Sequence, residues 1–331
     1  MAQVISLEDA RGRQDPERCR AMTAAGRRCK RRAVGDTGFC SVHLPERPEH
    51  IGPFSAQAVE RALDFVRRRA TGDYEIDEFG FDRDLTEQIL APILRPIAEH
   101  YWRVEWRGME NIPNEGPALL VANHAGSVPV DAVVTKFGIY DHHPAHRHVR
   151  LLAADLAFRM PFNGPIARKM GSTLATQEDA YRLLAKGELL GVFPEGYKGV
   201  GKGWKERYRL QRFGRGGFIE VALKAKAPII PVAIVGSEEI YPMIANAKFI
   251  ARLGGFPYFP ITPFFPWLGP LGAIPLPSKW IIEVGEPIPT DGYPDDAWQD
   301  AMLVFNETDR VRDQIQQMLY RNLMSRRSAF F

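Results

Sequence analysis

Ala118-Leu119-Leu120-Val121-Ala122-Asn123-His124-Ala125-Gly126-Ser127-Val128-Pro129-Val130-Asp131 is the stretch whose reading decides the fold. Its first five residues are apolar and read as a buried strand that ends at Asn123-His124. Gly126 and Ser127 suit a turn, and Asp131 opens a helix reaching about Phe137. Strand, polar turn and helix in that order make an α/β unit, and open α/β sheets form their sites beyond the carboxyl ends of the strands. His124 stands at such an end. The turn can fold Asp131 back onto the imidazole, and an imidazole oriented by a carboxylate takes a proton from a hydroxyl at neutral pH. A lone histidine at a strand end is more often structural, so the rest of the chain has to weigh in.

The same alternation continues outward. Residues 104–106, 149–153, 189–193, 229–235 and 280–284 read as strands, and 180–186, 218–226 and 297–325 as helices. The last helix carries Trp298, Met302, Phe305, Val311, Ile315, Met318 and Leu323 along one face. Upstream, Ser55 is placed to cap a helix to about Arg69, and 85–101 forms a second amphipathic helix kinked at Pro92 and Pro96. The expected architecture is an α/β sheet with helices packed against it. The expected divisions are a small module in 1–50, a helical segment in 51–100 and the α/β domain in 101–331.

The net charge of +3 over 331 residues gives no strong overall field for a polyanion. Basic residues are nevertheless bunched. Between Lys198 and Lys226 there are nine Lys or Arg against Glu206 and Glu220, and between Arg18 and Arg32 seven with no acid. Such runs meet phosphates or anionic headgroups, or are simply solvated faces. The first twenty residues are polar, which does not fit a secretory signal. Residues 253–278 lack charge apart from their flanks but hold seven prolines, which rules out an ordinary spanning helix. The expected location is the cytoplasm, at a membrane surface.

All three cysteines fall in the first forty residues, as Cys19, Cys29 and Cys40, with His43 close behind. Three thiols and an imidazole make one tetrahedral zinc set, and so short a module needs the metal to fold. The text resembles a zinc knuckle. It is read as a structural or docking module for a partner. No spacing of a base-reading finger is present, so nucleic acid is not the expected partner.

The second decisive block is Gly191-Val192-Phe193-Pro194-Glu195-Gly196, a strand running into a tight turn. The turn is expected to expose Glu195 and nearby backbone amides, including that of Gly196, to a polar substrate. An ordinary strand-ending turn is the alternative. No Gly-x-Ser-x-Gly and no cysteine offers a nucleophile in this domain, and the glycines after Glu195 do not end in Gly-Lys-Ser/Thr, which excludes a P-loop.

With these blocks in order, the chain resembles the glycerophospholipid acyltransferase family, of the lysophosphatidate acyltransferase type, over about residues 100–290. The matching blocks are Asn123-His124 with Asp131, then Gly171-Ser172, then Phe193-Pro194-Glu195-Gly196, then Ile229-Ile230-Pro231-Val232. The resemblance implies a mixed sheet flanked by helices and an acyl thioester donor, acyl-CoA or acyl-carrier protein. It implies His124 as general base, Asp131 as its partner, and Glu195 as a ligand of the glycerolipid acceptor. Gly196, Gly171 and Ser172 would join the substrate site. Two departures stand out. The family commonly places four residues between His and Asp, where this chain has six. The second block commonly carries an arginine for the acceptor phosphate and here has none, so Arg168, Lys198 and Lys202 are the substitutes, or else the acceptor is neutral. A non-catalytic lipid-binding protein of the same fold, with the zinc module as its docking element, remains the rival reading.

Two further stretches are distinctive. His142, His143, His146 and His148 crowd around Pro144 and read as an exposed loop rather than a metal site. Residues 253–278 interleave Phe256, Tyr258, Phe259, Phe264, Phe265 and Trp267 with proline. That loop dips into a headgroup boundary, lines an acyl channel or packs as core.

Overall fold

The computed structural model describes residues 29–30, 56–159 and 163–330. Cys19, Cys40 and His43 lie outside the described residues, as does the Ser55 cap, so the zinc module is not part of the fold described. Cys29 is buried, and among the described residues no cluster of three metal-ligating side chains occurs.

The strands in chain order are β1 (Glu105–Arg107), β2 (Ala118–Ala122), β3 (Val149–Ala153), β4 (Ser172–Leu174), β5 (Leu189–Val192), β6 (Ile229–Val235), β7 (Ala245–Asn246), β8 (Pro260–Ile261) and β9 (Ile281–Val284). Seven of them form one sheet in the order β1-β9-β6-β2-β5-β3-β4, and β7 and β8 pair apart from it. All neighbours in the large sheet run parallel except β6 and β9. This is the expected mixed sheet.

Both faces of the sheet are covered, which is why its central strands are apolar throughout rather than alternating with polar residues. Leu119 and Val121 of β2, with Ile229, Ala233 and Val235 of β6, point into one core. That core is completed by the helices Gln177–Ala185, Gly217–Lys224 and Ala301–Ser325. Ala118, Leu120 and Ala122, with Ile230, Val232 and Ile234, point the other way, onto Ala132, Val134 and Ile139 of the helix Val130–His142. Among the described residues no helix is long and apolar enough to cross a membrane.

Several elements differ in detail from expectation. The helical run over 83–101 is continuous but holds two wide turns, Thr86–Leu90 and Ile97–Tyr101. Pro92 and Pro96 remove two backbone donors, and the chain closes instead through i→i−5 bonds, Ala91 N–H to Thr86 O and Trp102 N–H to Ile97 O. The histidine-rich stretch is a loop exposed only in part: His142 and Ala145 are at the surface, and the other histidines turn inward. His143 is fully buried, with its Nε2 3.1 Å from Ile112 O. His148 lies 2.8 Å from Glu87 Oε1 and stacks on Tyr140. Each ring is taken by a different partner, which separates them as ligands. Burial pulls the His143 imidazole down to about 4, so it stays neutral in the fold.

Candidate active site

Asn123 anchors the end of β2. Its side-chain amide donates to Ile234 O (3.0 Å), and its carbonyl oxygen accepts from Ile234 N–H (2.7 Å), tying β2 to β6 one residue before His124. The chain then makes a compact excursion. Gly126 adopts φ +98° and Ser127 φ +60°. Val128 N–H donates to Gly126 O and Val130 N–H to Val128 O, two successive three-residue turns. Gly126 is needed for space as well as for its backbone: a Cβ there would stand 2.6 Å from Ser237 O. These turns absorb the longer spacing and return Asp131 to His124 as the second residue of the helix Val130–His142.

Asp131 is wholly buried, and His124 keeps 13% of its side chain exposed. Asp131 Oδ2 is 2.8 Å from His124 Nδ1 and also accepts from Ala125 N–H at 2.8 Å. Oδ1 accepts from Ala132 N–H at 2.8 Å. With Nδ1–H facing the carboxylate, the tautomer that fits leaves Nε2 with its lone pair. The Phe193 ring packs against the imidazole, centroids 4.6 Å apart, and fixes the ring from the side.

Glu195 lies next to this pair, but not as expected from sequence. It is 4% exposed, and its carboxylate is already spent on the protein. Oε1 accepts from His124 N–H (2.9 Å), and Oε2 accepts from Gln211 N–H (2.7 Å) and sits 3.3 Å from Lys202 Nζ. The turn exposes Tyr197 and Lys198 instead. Lys202 is buried as well and reaches Glu238 Oε1 at 3.0 Å, while Glu238 Oε2 accepts from Tyr208 N–H at 2.9 Å. Burial pushes Glu238 up to about 7 against the opposing pull of the Lys202 ammonium, and the Glu195 carboxylate adds a smaller push in the same direction. The same burial opposes the charge on Lys202, but Glu238 and Glu195 outweigh it and hold the ammonium above its ordinary range. A small cleft opens beside the loop, lined by Gly126, Ser127, Gly199, Trp204 and Tyr241 together with Lys202.

The remaining expected site residues fall elsewhere. Ser172 lies level with Leu151, Gly191 and Leu120 across the sheet. Gly171-Ser172 therefore begin their strand about 13 Å below the level of His124 and about 14 Å to the side. Gly171, at φ +86°, packs under Arg150 and Phe81 rather than facing His124. Arg168 ends the helix Asn163–Lys169 with its guanidinium 4.7 Å from the Phe158 ring centroid. Sequence reading missed Glu238, although the acidic pair Glu238-Glu239, separated by two residues from the apolar strand β6, was a local signal. It also missed Gln211, and it read Tyr258 only as one of the proline-interleaved aromatics, whereas its hydroxyl donates to Ser127 O at 2.6 Å. Nothing local marks Gln211, or the bond that Tyr258 makes.

The family model described as acyltransferase matches residues 103–235, which span β1 to the end of β6. A protein of Mycobacterium leprae (strain TN), described as uncharacterized, is 50% identical over 325 residues, covering 98% of this chain and 87% of its own. A Gallus gallus protein described as a DGAT1/2-independent enzyme synthesizing storage lipids is 32% identical over 187 residues, 56% of this chain and 52% of its own. The crystal structure of the 1-acyl-sn-glycerophosphate acyltransferase PlsC from Thermotoga maritima aligns at a TM-score of 0.45 and 17% identity, over 82% of this chain and 98% of that one. The histidine, its aspartate and the Pro-Glu-Gly turn all lie inside the stretch that matches the acyltransferase family model.

Proposed function

We propose that the chain transfers a fatty acyl group from an acyl thioester, acyl-CoA or acyl-carrier protein, to a hydroxyl of a glycerolipid such as lysophosphatidate. The observation that carries this reading is the 2.8 Å contact between His124 Nδ1 and the buried carboxylate of Asp131. In the reaction His124 Nε2 removes the proton as the acceptor oxygen forms its bond to the thioester carbonyl carbon. The carbon–sulfur bond then breaks, and the imidazolium returns the proton to the departing thiolate. Glu195 serves as a positioning residue: it fixes the His124 backbone and leaves substrate contact to the exposed Lys198 and the cleft. The six-residue spacing is the best support for the rival non-catalytic lipid-binding protein. The hydrogen-bonded contact across that spacing weighs against it.

A second reading of the acceptor, a neutral acylglycerol, is favoured by Lys202. Its ammonium is committed to Glu195 and Glu238 and has no charge to spare for a phosphate. The storage-lipid description of the Gallus gallus relative points the same way. The test is transfer of a radiolabelled acyl group from acyl-CoA to a panel of lysophosphatidate, monoacylglycerol and diacylglycerol. We expect one glycerolipid class to be labelled and His124→Ala to lose the activity while keeping its fold. Undiminished transfer by His124→Ala would remove the base assignment.

Cys19, Cys29, Cys40 and His43 are proposed to bind one structural zinc ion in a docking module on a protein that works in the cytoplasm. Three thiolates and an imidazole suit that metal. Elemental analysis of the purified full chain should give one zinc per chain, reduced by Cys40→Ser. A zinc-free chain with an unchanged melting profile would contradict it.

A further inference from the structure

Between Glu239 and Glu283 the chain holds no acidic residue, and its cations are Lys248, Arg252 and Lys279. Most of this stretch is an excursion between β6 and β9 that turns apolar side chains outward. Phe249 and Leu253 are each 74% exposed, Trp267 70% and Leu271 69%. Scattered apolar residues are normal on a protein surface; here they come from one braced unit. Ala247 N–H donates to Phe259 O, Phe256 N–H to Ala251 O, and β7 pairs with β8. On the helix Lys248–Leu253 the buried residue is Ala251, while the exposed Lys248 and Arg252 stand beside Phe249 and Leu253. Phe265, in contrast, is half-buried against Phe259 and takes no part.

The excursion rests on the His124 loop through the Tyr258–Ser127 hydrogen bond, and Met243 O accepts from Trp204 N–H at 2.8 Å. That second contact brings the exposed Lys205 and Arg207 to its margin, with Glu206 the one acid beside them. An outward apolar set, edged by cations and almost free of acids, is complementary to a negatively charged lipid surface.

We infer that this face docks on an anionic phospholipid bilayer. Phe249, Leu253 and Trp267 enter the headgroup boundary, Lys248, Arg252 and Arg207 meet lipid phosphates, and the His124 loop faces the membrane. The docking is read from the surface itself; the benefit of bringing His124 to a lipid rests on the acyl-transfer reading above.

The experiment is co-sedimentation of the full chain with phosphatidylcholine vesicles, with and without phosphatidylglycerol, scored without turnover. Wild type should partition onto the phosphatidylglycerol vesicles and lose binding with added salt. Lys248→Glu with Arg252→Glu should weaken partition by about ten-fold or more. Phe249→Ser with Leu253→Ser and Trp267→Ser should abolish it, with circular dichroism and melting unchanged. Equal partition of these variants and wild type would overturn the inference. So would a full chain that dimerises through this face, seen as a dimer that the triple serine variant converts to monomer. A chain that docks as described but transfers no acyl group counts against the proposed function alone.

Discussion

Asp131 and Glu195 are both carboxylates with almost no contact with water, and burial of that kind is unfavourable unless their oxygens are met. Asp131 is met by Ala125 N–H, Ala132 N–H and the His124 ring, so its charge is directed to the imidazole. Asp131→Asn should lower the turnover rate by about 10²–10⁴ with little change in stability, measured as thiol release. Glu195 holds the backbones of His124 and Gln211 together, so Glu195→Ala should destabilise the chain by about 3–5 kcal/mol in urea unfolding and cut activity with it. A Glu195→Ala chain as stable as wild type would show that the clamp is not needed. Lys136 gives a prediction of pH dependence. It is 1% exposed, and burial first, then Arg150, lowers its ammonium from 10.5 to about 7. Between those two values the unfolded chain holds the extra proton, so stability from this group rises with pH from about 7 to 10.5, and below 7 the full penalty of a buried charge applies. Lys136→Met should therefore gain most in melting temperature over wild type near pH 6 and lose that advantage by pH 10. The opposite slope would contradict the burial of a charged ammonium.

At the scale of elements, the site depends on a loop rather than on strands. Gly126→Ala meets both a positive φ and the Ser237 carbonyl, and should cost about 1–3 kcal/mol and most of the activity. Helix ends carry smaller, separable terms. Asp300 accepts from Met302 N–H and Leu303 N–H at the start of Ala301–Ser325, so Asp300→Ala should cost about 1 kcal/mol in thermal unfolding without touching activity. The strands were legible in the sequence because both-face burial leaves uninterrupted runs such as Ile229–Val235. His124 and Asp131 were legible because both lie on one strand–turn–helix unit. Glu195 was misread because its burial is decided by Gln211, Lys202 and Glu238, which come from distant parts of the chain. The wide turns in 83–101 were hidden for another reason: proline announces a break in the bonding ladder but not how the break is closed. Phe249 fell outside the 253–278 stretch and Leu253 only opens it, because a six-residue helix leaves too short a period to read.

Over the whole molecule, the sheet brings the ends of β2, β5 and β6 to one edge, and with them His124, Glu195 and Glu238. β9 enters antiparallel beside β6, and the excursion before it reaches back over the same edge through Tyr258. The His124 loop, the buried charge network and the apolar face thus share one end of the molecule, while Gly171-Ser172 start their strand well away from it. Acyl transfer at this end of the molecule can be tested in one assay. The measurement is release of free thiol when the purified full chain is mixed with a long-chain acyl-CoA and glycerolipid vesicles, beside His124→Ala at equal concentration. Wild type should release thiol in an acceptor-dependent manner and the folded variant none above background; equal rates from the two proteins would contradict catalysis by His124.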